Sequence, residues 1–409
     1  MMRREVEAGA IRGIRIAPSA PMVSHLLFAD DSSFFIRAKR EEAMKIRGLL
    51  QKYEDVSGQS VNLDKTTVCF SRGVCDKNAK EIADCSGVRV VHEQDKYLGL
   101  PTSVGHSKKL ITNIIRDKLS KKLQAWRGSL LSKAGREILI KAVAQSIPTY
   151  AMSVFKLPGN FCDELRSLVS RFWWGSFEGK CKISWVAWDK LCKPKCLGGL
   201  GFRDYRNFNM ALLGKQAWRL ITEERSLMVR TLRGKYFSNS SFMDANLGNK
   251  PSYTWRGIWE AREVALKGCR RRIGDGVSTR IWKDPWIPST QTGRVISPRR
   301  VADEDLSVAE LMTSDGLRWD YSKIDLIFLV FERDRIMNIR LSRTRVDDIW
   351  YWEWEKDGIY SVRSVYKILE QGEFTGAEQS DFAREKALWN NIWKIPILPR
   401  IKVFFLANL

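Results

Sequence analysis

Histidine is nearly missing. His25, His92 and His106 are the only three in 409 residues, so catalysis built on histidine is not favoured. The eight cysteines are scattered, a usage that fits a reduced intracellular setting better than a disulfide scaffold. Cys181, Cys192 and Cys196 are the only cysteine group worth weighing as a metal site. Their spacing, C-x10-C-x3-C, offers no fourth ligand nearby, whereas structural zinc takes four, commonly in two close pairs. They read as ordinary thiols. No apolar run approaches the length of a bilayer-spanning helix, and MMRREVEAGAIRG at the N-terminus has no apolar segment of the signal-peptide kind. A membrane partner is therefore not expected. Low-complexity tracts are also absent, which argues against wholesale disorder.

Acidic residues are in deficit. Sixty-nine lysines and arginines face 47 aspartates and glutamates, for a formal net charge of +22 and a pI near 9.7. Such an excess points to a polyanion, most often nucleic acid. Sixteen tryptophans count both ways, because aromatics stack on bases but more often fill cores. Length alone suggests two or three domains.

Residues 23–37, VSHLLFADDSSFFIR, pattern as a hairpin: an apolar strand over Val23–Phe28, a polar connection Ala29-Asp30-Asp31-Ser32, and a second strand from Phe34 to Ile36. A bare Asp-Asp pair is more often a solvated turn than a site. Held at a rigid tip, however, two adjacent carboxylates repel unless solvent or a cation compensates, and Mg2+ is the usual partner for such oxygens.

Farther on, Ile46, Leu49, Leu50 and Tyr53 mark one face of a helix that Gly58 is placed to end. Ser60–Phe70 reads as strand, turn and strand, and KYLGLPTSVG as a strand broken by Gly99 and Pro101. Together these would make part of an open sheet with a helix on one face.

The character changes near residue 106. Residues 106–147 hold ten lysines or arginines against Asp117 and Glu137, a net +8. Two helices are expected. The first carries Ile115, Leu119, Leu123 and Trp126 as its stripe. The second is capped by Ser132, stops before Pro148, and buries Leu139, Val143 and Ile147. A third helix uses Phe161, Leu165, Leu168, Val169 and Phe172. Lys108, Lys109, Arg116, Lys118, Lys121, Lys122, Lys133 and Arg136 are the candidate phosphate contacts, which would bind without reading sequence.

Asn207–Ile221 is expected to be a helix. Gly198-Gly199-Leu200-Gly201 lacks the GK[ST] ending and the strand-loop-helix context of a phosphate loop and is rejected as one. Arg270-Arg271-Arg272 is a short cationic run that reads as a solvated turn ahead of the alternative, a phosphate contact. Residues 301–345 look mixed and helical. Ile349–Tyr360, IWYWEWEKDGIY, with its Asp357-Gly358 turn, reads as a hairpin, and Val362–Leu369 as a helix.

Several of these segments align with one family. HLLFADD resembles the catalytic hairpin, motif C, of reverse transcriptases. SGQSVNLDKTTVCFS resembles motif D and KYLGLPTSVG motif E, the primer grip with Leu98 and Gly99. LSKAGREILIKAVAQSIPTYAMSVFKLP is similar to the thumb of plant LINE-type (non-LTR) retrotransposons. FWWG, GGLGFRDYRNFNMALLGKQAWRL and STRIWKDPWIP continue the match, and the last segment resembles the start of the reverse-transcriptase zinc-binding domain.

The resemblance implies an α+β chain: a partial reverse-transcriptase palm over 1–105, a basic helical thumb over 106–175, a Trp/Gly-rich, mainly helical connection over 176–300, and a truncated hairpin-helix unit of the zinc-binding domain over 301–409. It implies RNA-directed DNA polymerisation with Mg2+, through two ions about 4 Å apart. Asp30 would be a metal ligand, Asp31 a second supporting carboxylate, and Lys65 the motif D lysine facing the departing pyrophosphate; a solvated turn is an equal reading of Lys65. RNA and DNA are the implied partners and the nucleus the implied location. Fingers and motifs A and B are expected to be missing, so the chain by itself is expected to be inactive. The zinc ligands would lie beyond Leu409, so zinc is not expected. Two alternatives stand beside this reading: an enzyme completed by a separate chain supplying fingers and palm, and a non-enzymatic nucleic-acid-binding remnant.

Overall fold

The computed structural model describes residues 1–91, 99–100, 109–126, 131–175, 182–288, 292–299, 306–342, 344, 346–371, 378–397 and 401–402. About half the chain is helical and the sheets are small, consistent with an α+β class. Among the described residues no helix is long and apolar enough to cross a membrane.

The chain opens with α1 Met2–Glu7, β1 Ile14–Arg15, β2 Met22–Val23, β3 His25–Phe28 and β4 Asp31–Phe34. Then come α2 Arg40–Ser57, β5 Thr67–Cys69, α3 Asp76–Ser86, β6 Arg89–Val91 and α4 Lys109–Ala125. After α5 Lys133–Leu139 and a π-helical turn over Ile140–Ala144 follow α6 Thr149–Val154, α7 Gly159–Trp174, α8 Trp188–Cys192, α9 Tyr205–Thr222 and α10 Leu227–Tyr236. The last part holds α11 Tyr253–Glu260, α12 Arg262–Leu266, β7 Cys269–Arg272, α13 Tyr321–Ile327, α14 Val330–Met337, β8 Ile349–Trp352, α15 Val362–Gln371 and α16 Glu378–Lys394. Two compact units result, one of Met1–Asp117 with Glu223–Pro251, the other of Lys118–Thr222 with Ser252–Leu409.

In the first unit a buried carboxylate organises the start of α2. Glu42 is 7% exposed and accepts the backbone N–H groups of Arg12 and Arg37, both at 3.1 Å. It thereby fastens the stretches before β1 and after β4 to one helix terminus, where a negative charge is also favoured by the helix dipole. Gly58, at φ 71°, ends α2 in the left-handed cap expected of it. The expected open sheet is not formed among the described residues. Instead β1–β2 and β3–β4 are separate antiparallel ladders, and β5 pairs in parallel with β6 across α3. The strands are two to four residues long. Only β5 forms from Ser60–Phe70, because Asn62–Thr66 closes a turn on itself. Most of KYLGLPTSVG lies outside the described residues.

In the second unit α9 is buried on most of its circumference, through Phe208, Ala211, Leu213, Ala217, Trp218 and Leu220. Asn209, 2% exposed, donates to the carbonyls of Met152 (2.7 Å) and Phe155 (2.9 Å) and accepts the N–H of Leu157 (2.8 Å). One amide thus satisfies the backbone where α6 turns into α7. Against α9, α15 packs Tyr366 edge-on to Phe208. Just ahead of α15, the Tyr360 hydroxyl donates to Ala211 O at 2.9 Å. Gly214 makes room: a Cβ there would lie 2.2 Å from that hydroxyl. A second core gathers Ile273, Ile281, Trp286, Ile287, Leu311 and Phe328.

Three local expectations give way in this unit. Leu139, Val143 and Ile147 are half-buried, while Ile140 and Ala144 are fully buried. The π-helical turn, closed by Gln145 N–H on Ile140 O, adds a residue and rotates the face. Arg270–Arg272 is a strand, not a turn. Its partner is β8, with Cys269 opposite Trp352 and Arg272 opposite Ile349, so the ladder of IWYW is with a distant strand, while Trp352 N–H alone donates back across the turn to Gly358 O at 2.7 Å. Cation–π contacts favour this register: Arg271 lies 4.6 Å from the Trp350 centroid and Arg272 5.1 Å from that of Tyr351. Asp357-Gly358 still turns, through Gly358 N–H on Glu355 O.

Just before β8, Asp348 is 7% exposed and draws the 274–279 loop around its carboxylate. It accepts Gly274 N–H (2.7 Å), Gly276 N–H (2.9 Å), the Thr279 hydroxyl (2.7 Å) and the Ser278 hydroxyl (3.2 Å). Burial alone would raise its pKa, but these donors outweigh burial and hold it below the usual carboxylate range. A depressed folded-state pKa contributes stability above the unfolded value, lost as pH falls through the folded one. Asp348→Ala is expected to lower unfolding free energy by about 2–4 kcal/mol at neutral pH, since it orphans four donors. Urea denaturation at pH 7 and pH 3 checks this, the deficit shrinking at the lower pH.

Candidate functional site

β3 and β4 pair His25 with Phe34 and Phe28 with Asp31, leaving Ala29 and Asp30 as a two-residue turn. The connection is shorter than the four residues expected, and β4 begins at Asp31 rather than Phe34. Extra cross-strand pairing from Asp31 to Ser33 accounts for the gain. Ala29 takes φ 50°, at the first central position where two-residue turns usually place glycine. Asp30 therefore sits in the turn itself and Asp31 at the first strand position, both exposed. Leu27 and Phe28 beside them are 63% and 59% exposed.

Polymerisation by the two-metal route requires more than two carboxylates to hold its ions. Among the described residues no group of three or more histidine, cysteine, aspartate or glutamate side chains is placed to hold a metal. Asp30 and Asp31 alone do not fit a two-ion centre. Lys65 is exposed, in a turn whose hydrogen bonds run from its N–H to Asn62 O (3.2 Å) and Asn62 Oδ1 (3.1 Å); these bonds hold it to Asn62, not to the hairpin. Leu98 lies outside the described residues, and Gly99 adopts φ 78°. Cys192 is buried and its thiol pKa is pushed far up by burial; Cys181 lies outside the described residues. The GGLG segment spends its N–H groups internally: Gly199 on Pro194 O, Leu200 on Leu191 O and Gly201 on Lys193 O. None is left to cradle a phosphate.

The cationic candidates divide by environment. On α4 the expected stripe is buried, with Ile115 at 3%, Leu119 at 0% and Leu123 at 4% exposure. Lys109, Lys118, Lys121 and Lys122 are exposed off that stripe, and Arg116 donates to Asn113 Oδ1 at 2.7 Å. Lys108 lies outside the described residues. Lys133 and Arg136 of α5 turn inward instead. Lys133 Nζ donates to Trp173 O at 2.9 Å and lies 4.6 and 4.8 Å from the Trp173 and Trp174 ring centroids. Arg136 donates to the same carbonyl at 3.3 Å. Both cations thus cap the C-terminal end of α7, where unsatisfied carbonyls and the helix dipole favour positive charge. Gly175 ends α7 at φ 76°, and a Cβ there would lie 2.9 Å from Arg136 Nη1.

Reasoning from sequence missed Arg270, which is 2% exposed and pairs with Glu353 at 2.9 Å. The apolar flanks Cys269 and Ile273 were the available signal that the arginine run enters a core.

Burial, then Arg136 and Lys182, push the Lys133 pKa down from 10.5 to about 8. Between those values the unfolded chain holds a proton that the folded chain has released, so Lys133 makes stability rise with pH across that window. The stability difference between wild type and Lys133→Gln is expected to move in favour of wild type from pH 8 to pH 10.5. Urea midpoints of both proteins across that range check it.

No family model matches the chain. The "Uncharacterized mitochondrial protein AtMg00310" of Arabidopsis thaliana is 51% identical over 143 residues, 35% of this chain and 93% of that protein. The "Putative ribonuclease H protein At1g65750" of Arabidopsis thaliana is 34% identical over 294 residues, 71% of this chain. The chain spans about half the length of the latter, 46%. With nine-tenths of the first relative matched at this identity, the chain belongs to the protein family of that Arabidopsis mitochondrial protein.

Proposed function

We propose that the chain is a portion of a LINE-type retrotransposon reverse transcriptase that does not polymerise by itself and retains sequence-independent affinity for RNA and DNA. The ordered series of motifs from FADD through the thumb and the Trp-rich segments carries this reading. A relative named as a putative ribonuclease H protein supports it, since that name denotes an enzyme of nucleic-acid turnover from a plant. The palm, thumb, connection and zinc-binding boundaries at 105, 175 and 300 belong to the same proposal, as does nuclear action. Mg2+ would enter only where a further chain completes the carboxylate set, since Asp30 and Asp31 alone do not fit a two-ion centre.

The exposed lysines of α4 are the contact surface. Lys118 and Lys122 are one helical turn apart, about 6 Å along the axis, close to the spacing of successive phosphates. Such contacts release counterions, so affinity falls steeply with salt. Replacing Lys118, Lys121 and Lys122 by alanine is expected to lower the salt slope for a single-stranded oligonucleotide by about 2. An unchanged slope in fluorescence-anisotropy titrations would exclude α4 as the contact.

Asp30→Asn with Asp31→Asn is expected to leave binding unchanged or slightly tighter, as negative charge is removed. Primer extension on a primed RNA template is expected to be absent with wild type and variant alike. Extension by the wild-type chain alone would overturn the proposal. Extension only after adding a chain that supplies fingers and palm would establish the two-chain alternative.

A further inference from the structure

A second cationic surface lies around the β7–β8 ribbon, in a segment that the resemblance does not assign to nucleic-acid contact. Residues 269–299 contain seven lysines and arginines against Asp275 and Asp284, a net +5. The segment folds back on itself. Arg271 N–H donates to Pro285 O at 2.7 Å, and Ile287 N–H to Gly293 O at 2.9 Å. Gly293 lies against Arg270, where an added Cβ would come within 2.7 Å of Cδ. These returns bring Arg294 alongside the ribbon that carries Arg272, and both are exposed.

The carboxylates of this region are largely committed elsewhere. Asp348 is saturated by its four donors, Glu353 holds Arg270, and Asp284 accepts Arg280 N–H at 2.7 Å. Asp347 and Asp357 are exposed exceptions, and half-buried Asp275 accepts Val277 N–H at 3.1 Å. The ribbon also presents stacked groups. On the face shared by Arg272, Ile349 and Tyr351, Arg272 rests over Tyr351, so its guanidinium is ordered before any ligand arrives and loses less entropy on binding; Arg271 and Trp350 stack on the opposite face. Ile349, opposite Arg272, is half exposed.

We propose that the β7–β8 ribbon with its returning loop is a binding surface for single-stranded nucleic acid. Arg272 and Arg294 take phosphates, and the Arg272–Tyr351 layer takes an unstacked base. A duplex keeps its bases stacked inside and offers nothing to that layer, and the outward residues Arg272 and Ile349 supply no row of hydrogen-bonding groups for base edges. This surface stands apart from α4 and does not depend on the polymerase reading.

The test uses the full chain, a labelled oligouridylate and a labelled DNA duplex, titrated over a range of salt. Arg272→Gln with Arg294→Gln changes two exposed side chains, and an unaltered urea midpoint shows that the fold is kept. The expected result is a single-strand salt slope smaller by about 1.4, with duplex affinity changed less than single-strand affinity. Unchanged single-strand slope and affinity would overturn the proposal. Equal losses for duplex and single strand would overturn the assignment to single strands. The α4 triple variant, run in parallel, separates the two surfaces: loss there alone refutes the ribbon, loss in the ribbon variant alone refutes α4, and no loss in either refutes nucleic-acid binding by both.

Discussion

The constraint on which much of the second unit rests is the burial of the Asp348 carboxylate. An ionised carboxylate out of water is costly unless its lone pairs are filled. Here the filling groups come from a loop some seventy positions earlier in the chain. Gly274 and Gly276 must present bare backbone, and Thr279 and Ser278 must aim hydroxyls inward. Once that loop is gathered, Arg271 can donate to Ser278 O at 3.0 Å and lie over Trp350, and the register of β7 against β8 follows. Glu42 in the first unit and Glu332 in the second act alike. Glu332 is fully buried and accepts the N–H groups of Ile296 (2.6 Å) and Ser297 (3.0 Å). Polar groups from loops, not sheet ladders, therefore fix much of the irregular chain.

Helices were the legible part. Period and caps located α2, α4, α7, α9 and α15, because an amphipathic stripe is written in neighbouring residues. The site was half legible. The hairpin at Asp30 and Asp31 followed from turn chemistry, but its exact register depended on cross-strand pairing of Ser32 and Ser33, which composition does not mark. Strand partnership was the least legible. IWYW needs a partner, and the nearest downstream residues offered a plausible turn, whereas the actual partner is an arginine run whose polar composition disguised a strand. Asn209, Asp348 and Glu332 gave no signal, because an isolated polar residue reads as surface until its donors are known.

The cations illustrate why net charge does not map simply onto a binding face. Of the residues read as phosphate contacts, Lys133 and Arg136 neutralise a helix end and lie near tryptophan or phenylalanine rings. Arg270 is consumed by Glu353. Basic composition thus serves two ends: some cations substitute for missing hydrogen-bond donors inside the fold, and the remainder, on α4 and around the ribbon, set the field that a polyanion meets.

The pairing of β7 with β8 closes over the 76 residues that separate Arg272 from Ile349. During synthesis at roughly 5–20 residues per second, β7 would leave the ribosome several seconds before its partner exists. A strand waiting that long with open edges invites pairing with other chains. Three consecutive arginines are a poor template for such pairing, since like charges repel across a ladder. They stay hydrated until the aromatic strand arrives to cover them. The arginine run would then protect the nascent chain against association before it acquires any role in the folded one.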